Sequence, residues 1–224
     1  MAPRLRGVCF DLWNTLASTV HEPHPIRALA SAFGLEGRPG WRRTLEETIM
    51  TRRLPGITAA LDELERATGR PPGNGWTRRD LVLAWGAASN ANRLYPDALP
   101  ALRRLARDGL RLGLVSNTQS FDLDLLDRDG IAALMQAVCL SCDCGMLKPD
   151  PGIFSLAAGR LGIPASEILM VGDRPDDDVA GARRAGLRAV LLDRPAGAAP
   201  PRRREGEPVL RGLDELPGFI ASLS

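Results

Sequence analysis

Five short apolar runs constrain this chain more than any other feature: Leu5–Phe10, Leu112–Ser116, Ala137–Leu140, Ile168–Gly172 and Arg188–Leu192. They alternate polar and apolar residues poorly, as strands buried on both faces do. Between the later runs lie segments of helical periodicity, Ala98–Asp108, Phe121–Arg128, Pro151–Leu161 and Asp177–Ala185. Strand and helix therefore take turns along the chain. That rhythm predicts an α/β fold, a Rossmann-like parallel sheet wound with helices on both sides.

The first strand breaks the rhythm. From Leu16 to about Asn92 the pattern is helical throughout, with no strand signal. Ile26–Phe33, Trp41–Arg52, Ile57–Thr68 and Arg78–Arg93 read as amphipathic helices, separated by glycine- and proline-rich stops. The expected organisation is a core of residues 1–16 and 93–224 with an inserted α-helical cap at 17–92. Leu16–Ala17 and Asn92–Leu94 are the expected hinges of that insertion.

Composition narrows the function classes. The net charge of +2 comes from 29 basic and 27 acidic residues, which leaves no global nucleic-acid footprint. Arg202-Arg203-Arg204 reads as a solvated basic loop. No segment has the ~18 apolar residues needed to cross a membrane, and the N-terminal apolar stretch is too short for a secretory signal. These readings predict a cytoplasmic protein, monomer or homodimer, with a small-molecule substrate. Cys9, Cys139, Cys142 and Cys144 are expected to pack as small hydrophobes, since C-L-S-C-D-C has no fourth zinc ligand nearby.

Four stretches carry chemistry. V-C-F-D places Asp11 just past the carboxyl end of the first strand, the edge at which open parallel sheets bind ligands. L-G-L-V-S-N-T puts Ser116 at the end of the second, where a hydroxyl and the following N–H groups suit phosphate oxygens. G-M-L-K-P-D-P presents Lys148 from a loop stiffened by Pro149 and Pro151. L-M-V-G-D-R-P-D-D-D sets Asp173 after a strand and a glycine, with Asp178 five residues on. Such hard carboxylate oxygens suit Mg²⁺.

In this order, at the ends of successive strands, the four stretches resemble the haloacid dehalogenase superfamily. The likeness covers nearly the whole chain, and the insertion matches the subgroup with a helical cap after the first strand. The resemblance implies that Asp11 is a nucleophile forming an aspartyl phosphate. Thr15, Ser116 and the backbone of Asn117 would hold the phosphate, and Lys148 would neutralise charge beside Asp11. Asp11, Asp173, Asp178 and the backbone carbonyl of Trp13 would hold Mg²⁺.

One position departs from the pattern. Most phosphatases of this kind carry a second aspartate two residues after the nucleophile, as general acid and base. Here it is Trp13, whose indole can do neither job, and a general acid–base is worth about 10²–10⁴-fold in rate. Three readings follow. The chain is a phosphohydrolase whose leaving group needs no proton or whose acid comes from the cap. It is a metal-free dehalogenase using Asp11 on a carbon–halogen bond. Or it is a low-turnover phosphate- or partner-binding module. The Gly172-Asp173 pair favours the first, because an extra carboxylate would repel a carboxylate substrate. His21 and His24, where the chain enters the cap, are candidate replacement acids. Arg52 and Arg53 are candidate contacts for an anionic substrate.

Overall fold

The structure, a computed structural model, describes residues 4–194 and 208–223; the Arg202–Arg204 patch lies outside them. In chain order, β1 (Gly7–Phe10) and β2 (Ala17–Thr19) precede four helices, α1 (Pro25–Ala32), α2 (Trp41–Ile49), α3 (Ile57–Thr68) and α4 (Arg78–Ala91). Then come β3 (Asn92–Leu94), α5 (Ala98–Arg107), β4 (Arg111–Ser116), α6 (Leu125–Arg128), β5 (Ala137–Leu140), α7 (Ser141–Cys144) and α8 (Pro151–Leu161). The chain closes with β6 (Ile168–Gly172), a π-helical turn at Pro175–Ala180, α9 (Gly181–Arg184), β7 (Arg188–Leu192), β8 (Val209–Leu210) and α10 (Leu216–Ser222).

Six strands form one parallel sheet in the order β5-β4-β1-β6-β7-β8. β1 lies between β4 and β6, so the order reverses there. A crevice at such a reversal is where doubly wound sheets bind ligands. Side chains of each strand divide between two cores by their period of two. Val8, Phe10, Leu112, Leu114, Leu169 and Val171 face α5, α6 and α10. Cys9, Val115, Cys139, Ile168 and Met170 face α8 and α9. The apolar runs are nearly continuous because both faces are covered.

The helical insertion has a core of its own. Leu29, Phe33, Leu45, Ile49, Leu61, Leu64, Leu81 and Trp85 form a third cluster, which Leu147 joins from the loop before α8. Each helix contributes the apolar stripe that its periodicity predicted.

Several boundaries differ from expectation. The stretch read as strandless opens and closes with strands: β2 and β3 pair antiparallel, Ala17 against Leu94 and Thr19 against Asn92. Three-residue strands are too short for periodicity to register. α6 begins only at Leu125, because Asp122 takes a left-handed φ of 67° and accepts a hydrogen bond from the Trp85 indole. β8, which adds to the edge of the sheet beside β7, was not foreseen at all. The segment read as one helix from Asp177 is a π-turn followed by α9. The amide N–H of Val179 reaches back five residues to the Arg174 carbonyl at 3.3 Å, the wide spacing common at functional sites.

Candidate active site

Asp11, Ser116 and Asp173 stand at or just past the ends of β1, β4 and β6. The amide N–H of Asp11 continues the sheet ladder, donating to the Val171 carbonyl at 3.0 Å. Residues 12–17 then close a tight loop, with Leu16 and Ala17 both donating to the Leu12 carbonyl at 2.9 Å. Asn14 turns it with a φ of 60°.

Lys148, 2% exposed, reaches this loop from the far side and donates to Asp11 Oδ1 and Asp178 Oδ1, each at 2.6 Å. Burial alone would lower the Lys148 pKa, but the two carboxylates hold it above its ordinary 10.5. It is therefore a fixed cation. Burial also pushes Asp11 up to about 6; the Lys148 charge pulls the other way, and repulsion from Asp178 adds to the rise.

Asp11, Asp173 and Asp178 are all buried, and one oxygen from each lies within 4.8 Å of the others. Among the described residues this is the cluster fitted to a metal, and its hard oxygens suit Mg²⁺. The approach depends on Gly172, where an added Cβ would lie 2.3 Å from Asp178 Cγ. Asp178 also accepts the Arg174 amide N–H at 2.9 Å, a bond closed by the π-turn.

Two hydroxyls on neighbouring elements, in the loop after β1 and at the end of β4, have no partner. Thr15 Oγ1 and Ser116 Oγ are fully buried and make no hydrogen bond, each at a cost of about 1–3 kcal/mol. Native interiors rarely leave such groups orphaned unless something else binds them. Asn117, expected to act through its backbone, also uses its side chain. It accepts from the Lys148 amide at 2.7 Å and donates to the Lys148 carbonyl at 3.1 Å, fixing the loop that carries the ammonium.

Trp13 lines the cavity with its indole Nε1 donating to Thr118 Oγ1 at 3.1 Å. The cavity, about 110 Å³, is walled by the strand ends on one side and α1, α2 and α4 on the other. Of the other nominated residues, His24 lines it and caps α1, accepting from the Ile26 amide at 3.3 Å. His21 lies outside the lining, beside the Pro23 carbonyl. Arg52 pairs with Glu63 and Arg53 with Asp143, both away from the cavity.

Sequence reasoning missed the α2 contribution. Glu46, 4% exposed, accepts from Arg174 NH1 at 2.9 Å and from Asn117 Nδ2 at 3.3 Å. Arg43 donates to the Lys148 carbonyl at 3.0 Å, and Arg42 lines the cavity. The sequence carries no clear signal for it: Arg42 and Glu46 share a helix face with Ile49, but charges spaced four apart on a helix read as a solvated face. Arg194 was missed too. Its fork donates to both oxygens of Asp97, at 2.8 and 3.0 Å, and twice to the Thr15 carbonyl, at 2.8 and 3.2 Å. It thereby anchors the nucleophile loop from behind. The cysteines are free and packed; burial pushes the Cys9 and Cys142 thiols up to about 12, so both stay protonated.

A family model for haloacid dehalogenase-like hydrolases matches residues 5–186. A phosphoserine phosphatase from Thermus thermophilus is 33% identical over 192 residues, covering 85% of this chain and 70% of its own. A glyceraldehyde 3-phosphate phosphatase from Methanopyrus kandleri is 37% identical over 199 residues, covering 85% and 84%. Solved structures share the fold at lower identity. A phosphatase from Thermococcus onnurineus aligns at TM-score 0.63 and 23% identity, over 96% of this chain and 98% of its own. A dehalogenase with an intermediate complex aligns at 0.68 and 22%, over 98% of both. No helix among the described residues is long and apolar enough to cross a membrane. The chain belongs to the haloacid dehalogenase-like hydrolase family.

Proposed function

We propose that this protein is a Mg²⁺-dependent phosphohydrolase acting on a small phosphorylated metabolite through an aspartyl-phosphate intermediate. Residues 17–92 form its cap and residues 1–16 and 93–224 its core. One observation carries the reading: two buried hydroxyls, Thr15 in the loop after Asp11 and Ser116 at the end of the neighbouring β4, have no partner, and the buried Asp11 carboxylate between those elements is already touched by a fixed ammonium. A phosphoryl group would satisfy both hydroxyls, take charge from Lys148 and meet Asp11. The phosphatase names of the two relatives point the same way.

In this mechanism Asp11 attacks phosphorus, the bond to the leaving oxygen breaks, and water later hydrolyses the acyl phosphate. Lys148 steadies the developing phosphoryl charge, and Thr15, Ser116 and the Asn117 amide orient the oxygens. Asp11, Asp173, Asp178 and the Trp13 carbonyl would hold magnesium, which when bound offsets the repulsion between carboxylate and phosphate. The same three carboxylates weigh against halide displacement from a carboxylate substrate.

Trp13 offers neither acid nor base. The rate should therefore follow the leaving group, with an activated aryl phosphate or acyl phosphate turning over far faster than an alkyl phosphate. A burst of leaving group before a slower steady state is expected, and Trp13→Asp should raise alkyl phosphate turnover. Equal rates on alkyl and aryl phosphates, with chemistry limiting, would refute the acid-free mechanism and direct attention to His24.

A further inference from the structure

Arg194 stands two residues past the end of β7, and β7 lies two strands from β1 in the sheet. Two strand spacings are roughly 10 Å, a gap that a long side chain can bridge. The Arg194 side chain is 13% exposed and makes four hydrogen bonds, two to the Asp97 carboxylate and two to the Thr15 carbonyl. It also stacks on Tyr95, 3.8 Å from the ring centroid. A guanidinium withdrawn from water needs a carboxylate, and Asp97, supported by the Leu213 amide at 2.8 Å, supplies it. An ion pair alone does not need the other two bonds. The fork is turned so that both fall on one carbonyl in the loop that follows Asp11.

Threonine hydroxyls ordinarily bond to nearby backbone, yet Thr15 Oγ1 is buried without a partner. The Thr15 amide is held only loosely, 3.4 Å from the Leu12 carbonyl. The residue is therefore fixed from its carbonyl side, which sets the direction of the hydroxyl and leaves it free. The same guanidinium holds the chain where it returns from the helical insertion. Tyr95 and Asp97 follow β3, and the Tyr95 amide donates to the Leu16 carbonyl at 2.9 Å. The outgoing passage at residues 15–16 and the returning one at residues 95–97 are thus tied to each other and to the end of β7.

We propose that Arg194 is a positioning residue for phosphoryl transfer: it clamps both passages on the core side, so that the Thr15 hydroxyl keeps its aim at the phosphoryl group while the cap moves. This rests on the phosphohydrolase reading and adds a residue that acts on the reaction without touching the substrate. Arg194 is not among the residues lining the cavity, so its effect passes through Thr15. What it controls is orientation, and a displacement of about 1 Å in a reacting site can cost on the order of 10²-fold in rate.

A double-mutant cycle on an activated aryl phosphate with Mg²⁺ tests it. Arg194→Gln should lower kcat by on the order of 10²-fold while KM stays within ~3-fold. Thr15→Val removes the hydroxyl and keeps the shape. In that background Arg194→Gln should cost less than ~3-fold more, because the group it aims is gone. Arg194→Lys, which keeps the charge beside Asp97 without the fork, should show the same pattern at smaller size, and it carries the cycle if the glutamine variant does not fold. Calorimetry supplies a readout apart from turnover. Affinity for orthovanadate, whose five-coordinate geometry mimics the transition state, should fall with kcat in Arg194→Gln, and affinity for inorganic phosphate should stay within ~3-fold. An equal cost of Arg194→Gln with and without the Thr15 hydroxyl overturns the inference and leaves Arg194 as a support of the fold. A kcat within ~3-fold of wild type in Arg194→Gln overturns it as well. Wild-type protein that neither cleaves the aryl phosphate nor binds phosphate or vanadate would sink the phosphohydrolase reading and the inference with it; active wild type with an additive cycle sinks the inference alone.

Discussion

The two walls of the cavity are built differently. On the strand-end wall Asp11, Lys148 and Asp178 are buried and locked to one another at 2.6 Å, with their backbones fixed by the sheet and by Asn117. On the helical wall Arg42 is exposed, and α2 meets the core through Arg43 on the Lys148 carbonyl and Glu46 on Arg174. Elsewhere the insertion touches the core at the paired Leu54 backbone and Ser120 hydroxyl, 2.7–2.8 Å apart, and at Trp85 on Phe121 and Asp122. The first wall is preorganised by connectivity, as electrostatic catalysis requires. The second meets the core through side chains, polar ones beside the cavity and apolar ones at Leu147 and Phe121, as suits a surface that admits and holds a substrate. Damage to the first should remove chemistry, and damage to the second should loosen binding.

The largest expected effect breaks the strand-end wall. Asp11→Asn keeps the shape and removes the nucleophile, so hydrolysis of an activated aryl phosphate should fall by about 10³-fold or more. Circular dichroism melting should show the fold intact. Activity above a tenth of wild type would mean that the reaction centre lies elsewhere.

An intermediate effect tests the helical wall. Glu46→Gln removes the buried carboxylate facing Arg174 while keeping a group that can still bond Asn117. Hydrogen bonds between charged groups contribute about 1.5–3 kcal/mol, so KM should rise by roughly tenfold and more than kcat falls. Steady-state kinetics separates the two. A loss confined to kcat would place Glu46 with the chemistry instead and erase the contrast between the walls.

The smallest effect concerns the support behind the nucleophile loop. Burial alone would raise Asp97, but the hydrogen bond from Arg194, the Leu213 amide and the Arg194 charge hold it below its usual 3.8. A depressed carboxylate stabilises the fold above its unfolded pKa, and that stability is lost as pH falls through the folded value. Asp97→Asn should therefore melt below wild type at about pH 7, with the gap closing below about pH 4. A gap that stays constant down to about pH 3 would show that the pair contributes shape and not charge.

Much of the strand-end wall was legible because its signals are local. Asp11, Ser116 and Asp173 each follow an apolar run within a residue or two, and a strand's carboxyl end is a place that sequence can mark. Lys148 was legible from the prolines around it. The helical wall was not. W-R-R-T-L-E-E-T-I reads as an ordinary amphipathic helix, whose charged residues face water by default. Only packing decided that Glu46 is 4% exposed while its neighbour Glu47 is exposed. β2, β3 and β8 escaped notice because two or three residues carry no measurable period.

By itself, then, the sequence determined five of the six strands of the sheet, the order of its chemical groups and the replacement of an acid by Trp13, since each is written in contiguous residues or their type. The tertiary structure alone decided which distant groups meet. Lys148 bridges 137 residues to reach Asp11, Arg194 spans 179 to hold the Thr15 carbonyl, and Arg174 spans 128 to meet Glu46. Such pairings depend on how helices and strand ends come to rest against one another in three dimensions. Burial then sets their strength, because a charge withdrawn from water must find a partner wherever the fold provides one.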